Sequence, residues 1–429
     1  MERFSVNEKT KKNRQSKTIA GQPATDQNRT GDTWIFSPLL YQLSYSGDSR
    51  GVFNITLKKC PVVSSFFSFP VPKTVFSRYI SPMPSQISHI LHGLACLKVL
   101  PEAKQNLISR GAFFLGCQGP DIFYHNQRTR PSGLVYGTRL HRSGWGKFCA
   151  ELARQGLRLG WTTTHPAYSF LAGWSVHAFL DRELHPFVVW HAGWREPADP
   201  STRILARSHA FFERILDVLL YESQMHENLF HCSWMSELAS PESFSQDFWA
   251  AMSQSLWRTY PGPYGLEDIP PRVRNALADT VGFLQHTDPR DEQAAREAAL
   301  SDRAAEAQNS ATPPRIAFFH PVILPPADYL NRQHRIWRHP VTGKERTESV
   351  EELWQKATEQ GQEALKALDE LWEAPSEEQE KLLGAWESLL GNGSLNLPGE
   401  DGAPNGPQFC QPLDFAHLME LQRRYFLKE

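Results

Sequence analysis

The chain has 429 residues and a formal net charge of −2, with 45 Lys and Arg against 47 Asp and Glu. This balance excludes the global basic field that attracts nucleic acid or an anionic membrane. The six cysteines are scattered and form no C-x-x-C pair, which excludes a Cys-type zinc site and a disulfide framework and favours a reducing compartment.

Residues 1–82 differ from the rest of the chain. They contain twelve Lys or Arg against five Asp or Glu, show no sustained helical period, and include the Pro-interrupted stretch 61-PVVSSFFSFPVP-72. Because translation could begin at Met83, we interpret 1–82 as a poorly ordered extension or a wrongly assigned start. No secretory signal follows the first residues and no run is long enough to span a bilayer, so we expect a cytoplasmic protein.

From residue 85 onward the pattern is helical, which predicts an all-α fold. Ser85 or Ser88 is the expected cap of a first helix that runs to about Leu100. Further helical periods lie at 103–115, 144–159, 167–185, 201–224 and 242–258.

The later part of the chain begins with a charged, Ala-rich segment, 287–313, which we interpret as a solvated helix or linker. Capping boxes at Ser349-x-x-Glu352 and Ser376-x-x-Gln379 predict the starts of two amphipathic helices, and a last helix is expected at about 413–428. The predicted regions are therefore the extension 1–82, a helical domain over 83–286, the linker 287–313 and a C-terminal helical region over 314–429.

The stretch 177-HAFLDRELH-185 carries three metal-capable side chains at intervals of four residues. On a helix, His177 and Asp181 project side by side, whereas His185 lies about 80° away from His177. Pro186 biases His185 towards a helix end. An exposed polar helix would need no metal, but the flanking residues are apolar and aromatic. Burying His and Asp there is costly unless they are paired or bound to a cation.

A second pair with the same spacing is His209 and Glu213, within an apolar helical segment. A simple salt bridge is the alternative interpretation of this pair. In the loop 116-GCQGPD-121, two glycines and Pro120 predict a tight turn that fixes the direction of Asp121. A helix-capping role is the alternative for this aspartate.

Two further histidines complete the candidate ligands. His141 precedes a probable helix, and His89 lies on the first helix, where His92 is its rival. All of these groups offer imidazole or carboxylate chemistry, which zinc accepts. A site with several zinc ions activates water near neutral pH and binds the oxygens of a phosphoryl group, so the set predicts phosphoester hydrolysis.

The order of these motifs on a helical scaffold resembles the zinc-dependent phospholipase C family, which also contains the S1/P1-type nucleases. The blocks SQISHILHGLACLKVL and LGCQGPDIFYHNQRTRPSGL carry much of the resemblance, which covers roughly 83–260. The resemblance implies a multi-helix phospholipase C/P1 nuclease-like bundle, here with additional C-terminal helices.

The resemblance also implies two to three zinc ions and a ligand set for each. The first ion would be held by Asp121, His141, His177 and Asp181, the second by His185, His209 and Glu213, and the third by His89 with Asp181 bridging. Asp121 would be the catalytic residue, as a candidate general base.

Two departures from the family pattern are visible. Family members complete the third zinc site with an N-terminal Trp, which is absent here, so either Met83 or Pro84 supplies the amine or this site is weakened or missing. Choline-selective members have a Tyr directly after the loop aspartate, whereas this chain has Ile122. Choline selectivity is therefore not implied.

The expected function is hydrolysis of a phospholipid or another phosphodiester by metal-activated water, without a stable nucleic-acid complex. One alternative is a single-strand nuclease of the S1/P1 type, for which Arg128, Arg130, Arg139 and Arg142 form a short basic track. A second alternative is a non-catalytic, metal-stabilised helical domain whose C-terminal helices bind a partner. The sequence identifies no particular protein partner.

Overall fold

The computed structural model describes residues 86–196, 198–399 and 406–429, and the backbone of 44–47 and 53–56. The chain divides into two compact units, Met1–Val75 and Phe76–Glu429. In the first unit the described backbone forms two antiparallel strands, β1 (Ser44–Gly47) and β2 (Phe53–Thr56). The other expectations for 1–82, including the apolar stretch 61–72, lie outside the described residues.

The described part of the second unit is mostly helical, which confirms the predicted all-α class. Its helices are α1 (Ile87–Leu97), α2 (Glu102–Gln105), α3 (Arg110–Cys117), α4 (Ile122–His125), α5 (Leu134–Arg142), α6 (Trp145–Arg158), α7 (Pro166–Ala192), α8 (Ser208–Met225), α9 (Gln246–Thr259), α10 (Ile269–His286), α11 (Glu292–Ala307), α12 (Val350–Glu373), α13 (Ser376–Leu390) and α14 (Phe415–Leu427). None of the described helices is both long and apolar enough to cross a membrane.

Helix α7 lies at the centre of this unit. All of its residues except Pro166, Arg182 and His191 are buried, and helices α1, α3, α6, α8 and α12 pack around it. An apolar sequence on every side is what a helix surrounded by other helices requires. The apolar surroundings of His177 and Asp181 in the sequence therefore reflect a helix that is enclosed on all faces.

Two glycines allow α3 and α7 to cross closely. A Cβ atom on Gly116 would lie 2.1 Å from the carbonyl oxygen of Phe170, and one on Gly173 would lie 2.3 Å from that of Phe113. No side chain fits in such a gap, so the two backbones touch. This contact brings the C-terminal end of α3, and the loop that carries Asp121, against the middle of α7.

Helix α7 is longer than the sequence predicts. It continues through Pro186 to Ala192, so the expectation that Pro186 biases His185 towards a helix end is wrong. Proline removes one backbone N–H donor, here the partner of the Arg182 carbonyl one turn earlier. Because α7 is buried on nearly all sides, its packing outweighs that local loss.

Several other local predictions are corrected. The capping box at Ser349 and Glu352 is confirmed, but Ser376 is the first residue of α13, behind Pro375, and forms no such box. A short antiparallel pair, β3 (Trp337–Arg338) and β4 (Glu345–Arg346), occurs where no hairpin was expected. Helix α10 was not predicted, because Pro270 and Pro271 in its first turn interrupt the apolar period.

One of the C-terminal helices packs directly on two helices that carry candidate ligands. Helix α12 packs against α1 and α7, and α13 packs against α6. The loop after α13 contacts the candidate site, because the carbonyl of His141 accepts hydrogen bonds from the Leu395 amide and the Ser394 hydroxyl. The segment 287–313, predicted as a solvated helix or linker, contains α11, which packs against α14 and buries four of its alanines.

Candidate metal centre

The structure brings all eight predicted ligands together between five elements. They comprise His89 on α1, Asp121 in the turn Gly119–Asp121, His141 on α5, His177, Asp181 and His185 on α7, and His209 and Glu213 on α8. Three groups of these residues place their ligand atoms within 4.8 Å of one another: His89, Asp121 and His177; His141, His177 and Asp181; His185, His209 and Glu213. These groups could hold metal ions.

The centre is closed on most sides. Seven of the eight residues are buried, and His209 is the most exposed, with 11% of its side chain accessible. Its neighbour His185 follows with 9% of its side chain accessible. The structure therefore opens to solvent at the His185/His209 edge, on the α8 side of the cluster.

Asp121 and Asp181 lie between the imidazole rings of His141 and His177. The Nε2 atom of His141 is 2.9 Å from Oδ1 of Asp121 and 3.7 Å from Oδ2 of Asp181. The Nε2 atom of His177 is 3.2 Å from Oδ2 of Asp181 and 3.6 Å from Oδ2 of Asp121. Two carboxylates and two imidazoles thus converge on one small volume.

The orientation of these two rings is fixed from behind. Nδ1 of His177 lies 3.0 Å from the carbonyl oxygen of Cys117, and Nδ1 of His141 lies 2.8 Å from that of Gly137. A carbonyl partner requires that Nδ1 carries the proton, so Nε2 is the nitrogen of each ring that can bind a metal. Metal-binding histidines are held in this way, with the second nitrogen donating to a carbonyl or carboxylate.

Gly119 leaves the space that the His177 ring occupies. Its φ angle is +52°, and a Cβ atom there would lie 2.3 Å from the His177 ring. A positive φ and the absence of a side chain are both properties that favour glycine. The Gly-Pro-Asp turn therefore does more than aim Asp121, since its glycine also makes room for the adjacent histidine.

Asp181 occupies the middle of the whole cluster. Besides His141 and His177, its Oδ1 atom lies 3.3 Å from Nε2 of His89 and 3.9 Å from Nε2 of His185. One carboxylate thus contacts histidines from all three groups. This position suits a bridging ligand between neighbouring ions.

The group on the α8 side consists of His185, His209 and Glu213. Oε1 of Glu213 lies 3.1 Å from Nε2 of His209 and 3.4 Å from Nε2 of His185, and the two rings stand perpendicular to each other. The predicted salt bridge between His209 and Glu213 is present as a contact. The added approach of His185 from α7 makes the set a three-ligand group.

On α1, the structure selects His89 over His92. His89 stacks on the ring of His177 with 4.1 Å between centroids. His92 lies one turn further along, with Nε2 3.4 Å from the Cys96 sulfur and its ring edge against Trp354. His92 belongs to the packing between α1 and α12 and is in none of the three groups.

Several buried polar atoms of the cluster have no hydrogen-bond partner among the described residues. Both oxygens of Asp121, both oxygens of Asp181 and the Nε2 atoms of His177 and His185 are buried without a hydrogen-bond partner in the part of the chain that is described. The close N···O contacts between these atoms therefore lack hydrogen-bond geometry, in contrast to the hydrogen bond between Nε2 of His209 and Oε1 of Glu213. Buried polar atoms are rarely left in this state. A cation among them would satisfy lone pairs on both types of atom.

The charges in the cluster reinforce this interpretation. Burial raises the pKa of Asp121 well above its usual range, with the negative charge of Asp181 adding to the effect and His177 opposing it. Burial also acts on Asp181, but the charges of His177 and His185 outweigh it and hold the pKa of Asp181 well below its usual range. Two adjacent buried carboxylates cannot both ionise easily without a positive partner.

The histidines separate into two kinds. Burial lowers the pKa values of His89 and His141 to about 4, so both are neutral and suited to metal binding at pH 7. Burial would also lower the pKa of His185, but Asp181 and Glu213 raise it to about 9. Without a cation, a proton on His185 thus balances the neighbouring carboxylates.

Some features of the site were not predicted from the sequence. The ring of Tyr124 is tilted against that of His141, with 4.7 Å between centroids, and the ring of Trp145 lies 5.9 Å from that of His177. Both follow from the fold, and no local pattern marks them. Arg139, one of the four arginines in the short basic track, lies over the ring of Tyr260. Helix α10, which was not predicted, adds Arg272 over Tyr264 and Arg274 over Trp249.

Comparison of the chain with protein-family models, curated proteins and solved structures gives no match. The resemblance to the phospholipase C family therefore rests on the order of the ligand residues along this chain. The geometry of the centre supports a metal site by itself, whereas the identity of the ion and the reaction belong to the proposal that follows.

Proposed function

We propose that this chain is a zinc-dependent phosphodiester hydrolase of the phospholipase C type that binds two to three ions. The observation that carries the proposal is the set of eight nitrogen and oxygen ligands. The buried carboxylate oxygens of two of them, Asp121 and Asp181, have no hydrogen-bond donor in the described part of the chain. A single structural zinc needs only four ligands and no neighbouring ion. The larger set is the reason to prefer a catalytic centre.

The donor spacing fits zinc. Zinc binds imidazole nitrogen and carboxylate oxygen at about 2.0–2.2 Å, so neighbouring ligands in a tetrahedron lie about 3.3 Å apart. The N···O distances across the cluster run from 2.9 to 3.9 Å. Calcium and magnesium prefer ligand sets made only of oxygen, which the five histidines here disfavour.

When bound, zinc ions would supply positive charge for the phosphoryl oxygens and lower the pKa of water to near neutrality. The protein's own groups would perform the remaining tasks. His141 and His177 hold fixed tautomers through backbone carbonyls, and Asp181 joins the groups electrostatically. Asp121, whose oxygens accept no hydrogen bond from the described residues, is the group proposed to accept a proton from the attacking water.

The same proposal includes the finer fold, a phospholipase C/P1 nuclease-like bundle to which α12, α13 and α14 are added. The order of ligands along the chain and the central helix with three of them support it. Helices α12 and α13 are packed against α1, α6 and α7, and α14 is packed against α8 and α11. They are therefore proposed as part of the scaffold of the hydrolase.

A single-strand nuclease is the second candidate, and one observation favours it. Half-buried Arg139 on α5 and half-buried Arg272 and exposed Arg274 on α10 each lie over an aromatic ring, and the structure shows no ion pair for any of the three arginines among the described residues. Cationic and aromatic side chains together are the combination that binds single strands. The surface is short, so small phosphodiesters remain the first choice.

Metal analysis combined with two substrates tests the proposal. Protein purified without added metal, then reconstituted with zinc, is expected to hold two to three ions and to hydrolyse a chromogenic phosphodiester. Hydrolysis of single-stranded DNA at a higher kcat/KM would favour the nuclease instead. One tightly bound ion or none after reconstitution, without hydrolysis of either substrate, would support a non-catalytic helical domain.

A further inference from the structure

A fully buried carboxylate, Asp217, lies on α8 one turn after Glu213. Its Oδ1 atom accepts hydrogen bonds from the backbone amide and the hydroxyl of Ser88, at 2.7 and 2.8 Å. Its Oδ2 atom accepts one from the backbone amide of Gln86 at 3.3 Å. Asp217 thus satisfies the first amides of α1 from a different helix.

Two further groups hold Asp217 in place. The guanidinium of Arg214, itself fully buried, donates from Nη1 to Oδ2 of Asp217 at 3.0 Å, and Nε2 of His320 lies 3.0 Å from the same oxygen. Arg214 also donates from Nε to the carbonyl of Phe318. The segment Phe318–His320, from the C-terminal half of the chain, is therefore part of the same hydrogen-bond network.

Helix α1 depends on this network, because it has no cap of its own. Gln86 precedes it and makes no side-chain capping hydrogen bond. The first amides of a helix have no partner within the helix, and a negative charge near them also stabilises the helix dipole. Asp217 fulfils both requirements at the residue immediately before His89.

His89 has particular need of such support. The rings of His141 and His177 are fixed by carbonyl partners at Nδ1, but Nδ1 of His89 is buried with no partner among the described residues. Its only polar contact in the cluster is Nε2 to Asp181. The direction of His89 is therefore set by the backbone of the first turn of α1 and by stacking on His177.

We propose that Asp217 is a positioning residue for the metal centre: by capping α1 it fixes His89 at the ion shared with Asp121 and His177. The same contact sets the spacing between α1 and α8, the helices that supply His89 and the His209/Glu213 pair. This inference rests on the proposed function, since it requires that His89 binds metal.

The test compares the metal content of Asp217→Ala, His89→Ala and the double variant with the full-length wild type. Asp217→Ala is expected to weaken one ion by about 10- to 100-fold, the usual effect of losing an outer support, and to leave the others unchanged. The double variant should bind the remaining ions as His89→Ala does. Non-additive loss of this kind identifies one shared site, which general destabilisation would not produce.

Asp302→Ala is the matched control. Asp302 is also buried and accepts hydrogen bonds from two backbone amides, those of Arg315 and Ile316, at 2.7 and 3.0 Å. Its hydrogen bonds support the backbone that follows α11 and not the first turn of α1, so its loss should reduce stability without selectively weakening the ion at His89.

If Asp217→Ala fails to fold, Ser88→Ala is the second variant, because it removes only the hydroxyl that donates to Asp217. The ion at His89 should then exchange faster in Ser88→Ala than in the wild type. Unchanged affinity for every ion in the folded Asp217 and Ser88 variants would overturn the inference while leaving the proposed function intact. A wild type that binds no zinc would overturn the proposed function itself and with it this assignment.

Discussion

Helix α8 carries two buried acids one turn apart, Glu213 and Asp217, and their surroundings differ. Both oxygens of Asp217 accept hydrogen bonds from amides, a hydroxyl, Arg214 or His320. In the centre that contains Glu213, the oxygens of Asp121 and Asp181 have no donor among the described residues. Asp217 is neutralised by the protein, whereas the centre that contains Glu213 needs a cation from outside.

The comparison separates structural from ligand-binding polar clusters. Burial alone does not distinguish them, because both are almost inaccessible to solvent. A buried polar group is costly unless it is hydrogen-bonded or ion-bound, so the group without donors marks the place for a ligand. Removing one acid from each cluster is the direct way to test this distinction.

The largest effect is expected for Asp121→Asn. The amide is nearly isosteric but cannot accept a proton, so kcat for a chromogenic phosphodiester should fall about 10²- to 10⁴-fold. Circular dichroism should be unchanged, because the Asp121 oxygens make no hydrogen bond that supports the fold.

Asp302→Asn provides the contrast for that experiment. Its carboxylate supports two backbone amides away from the centre, so the variant should keep its turnover even if its thermal stability falls. An Asp121→Asn protein with wild-type activity would show that Asp121 is not the proposed base.

Much of the ligand set was predictable from the sequence, and the reason is local. The pairs His177/Asp181 and His209/Glu213 are spaced by one helical turn within apolar helices, and that pattern alone places two ligands on one face. The helical class followed from the same periodicity.

The remainder depends on contacts between distant segments. The Asp217–Ser88 hydrogen bond joins residues 129 positions apart, and the carbonyl behind His177 comes from Cys117 on another helix. Asp217 continues the four-residue ladder of His209 and Glu213, a signal that was present in the sequence. Its partner, the first turn of α1, became visible only in the fold.

The next effect in size is a loss of metal from His209→Ala. Removing one of three ligands in the α8 group should lower the zinc content by about one ion and leave the ions at Asp121 and Asp181 in place. Mass spectrometry of the native protein counts the ions directly.

His191→Ala is the control for His209→Ala. His191 follows His185 on the same helix but packs against Phe187 and Phe212 and belongs to no ligand group. Equal metal loss in both variants would mean that the ions are released by general loosening of α7 and α8.

Gly119→Ala tests how tightly the centre is built. The new Cβ atom would collide with the His177 ring, and the residue would keep a positive φ, so we expect a loss of stability of about 1–3 kcal/mol. Zinc affinity at the His177 groups should also fall, as measured by competition with a chelator.

The matched glycine is Gly384, on the exposed face of α13. A Cβ atom there meets nothing within 4 Å, so Gly384→Ala should raise the free energy of unfolding by about 0.5–1 kcal/mol. The two substitutions add the same methyl group. If the free energy of unfolding falls for Gly119→Ala and rises for Gly384→Ala, the effect at Gly119 is due to its position.

The last effect concerns His92, a buried histidine outside both clusters. Burial lowers its pKa to about 3, against 6.5 in an unfolded chain. Because the folded state favours the neutral ring, this contribution to stability is complete above pH 6.5 and is lost as the pH falls from 6.5 towards 3. Between pH 7 and pH 5 the loss is about 2 kcal/mol. Urea denaturation of the metal-free protein should show the free energy of unfolding falling between pH 7 and pH 5. In His92→Gln this fall should be smaller by about 2 kcal/mol. An unchanged fall in His92→Gln would mean that His92 is already charged or solvated in the fold.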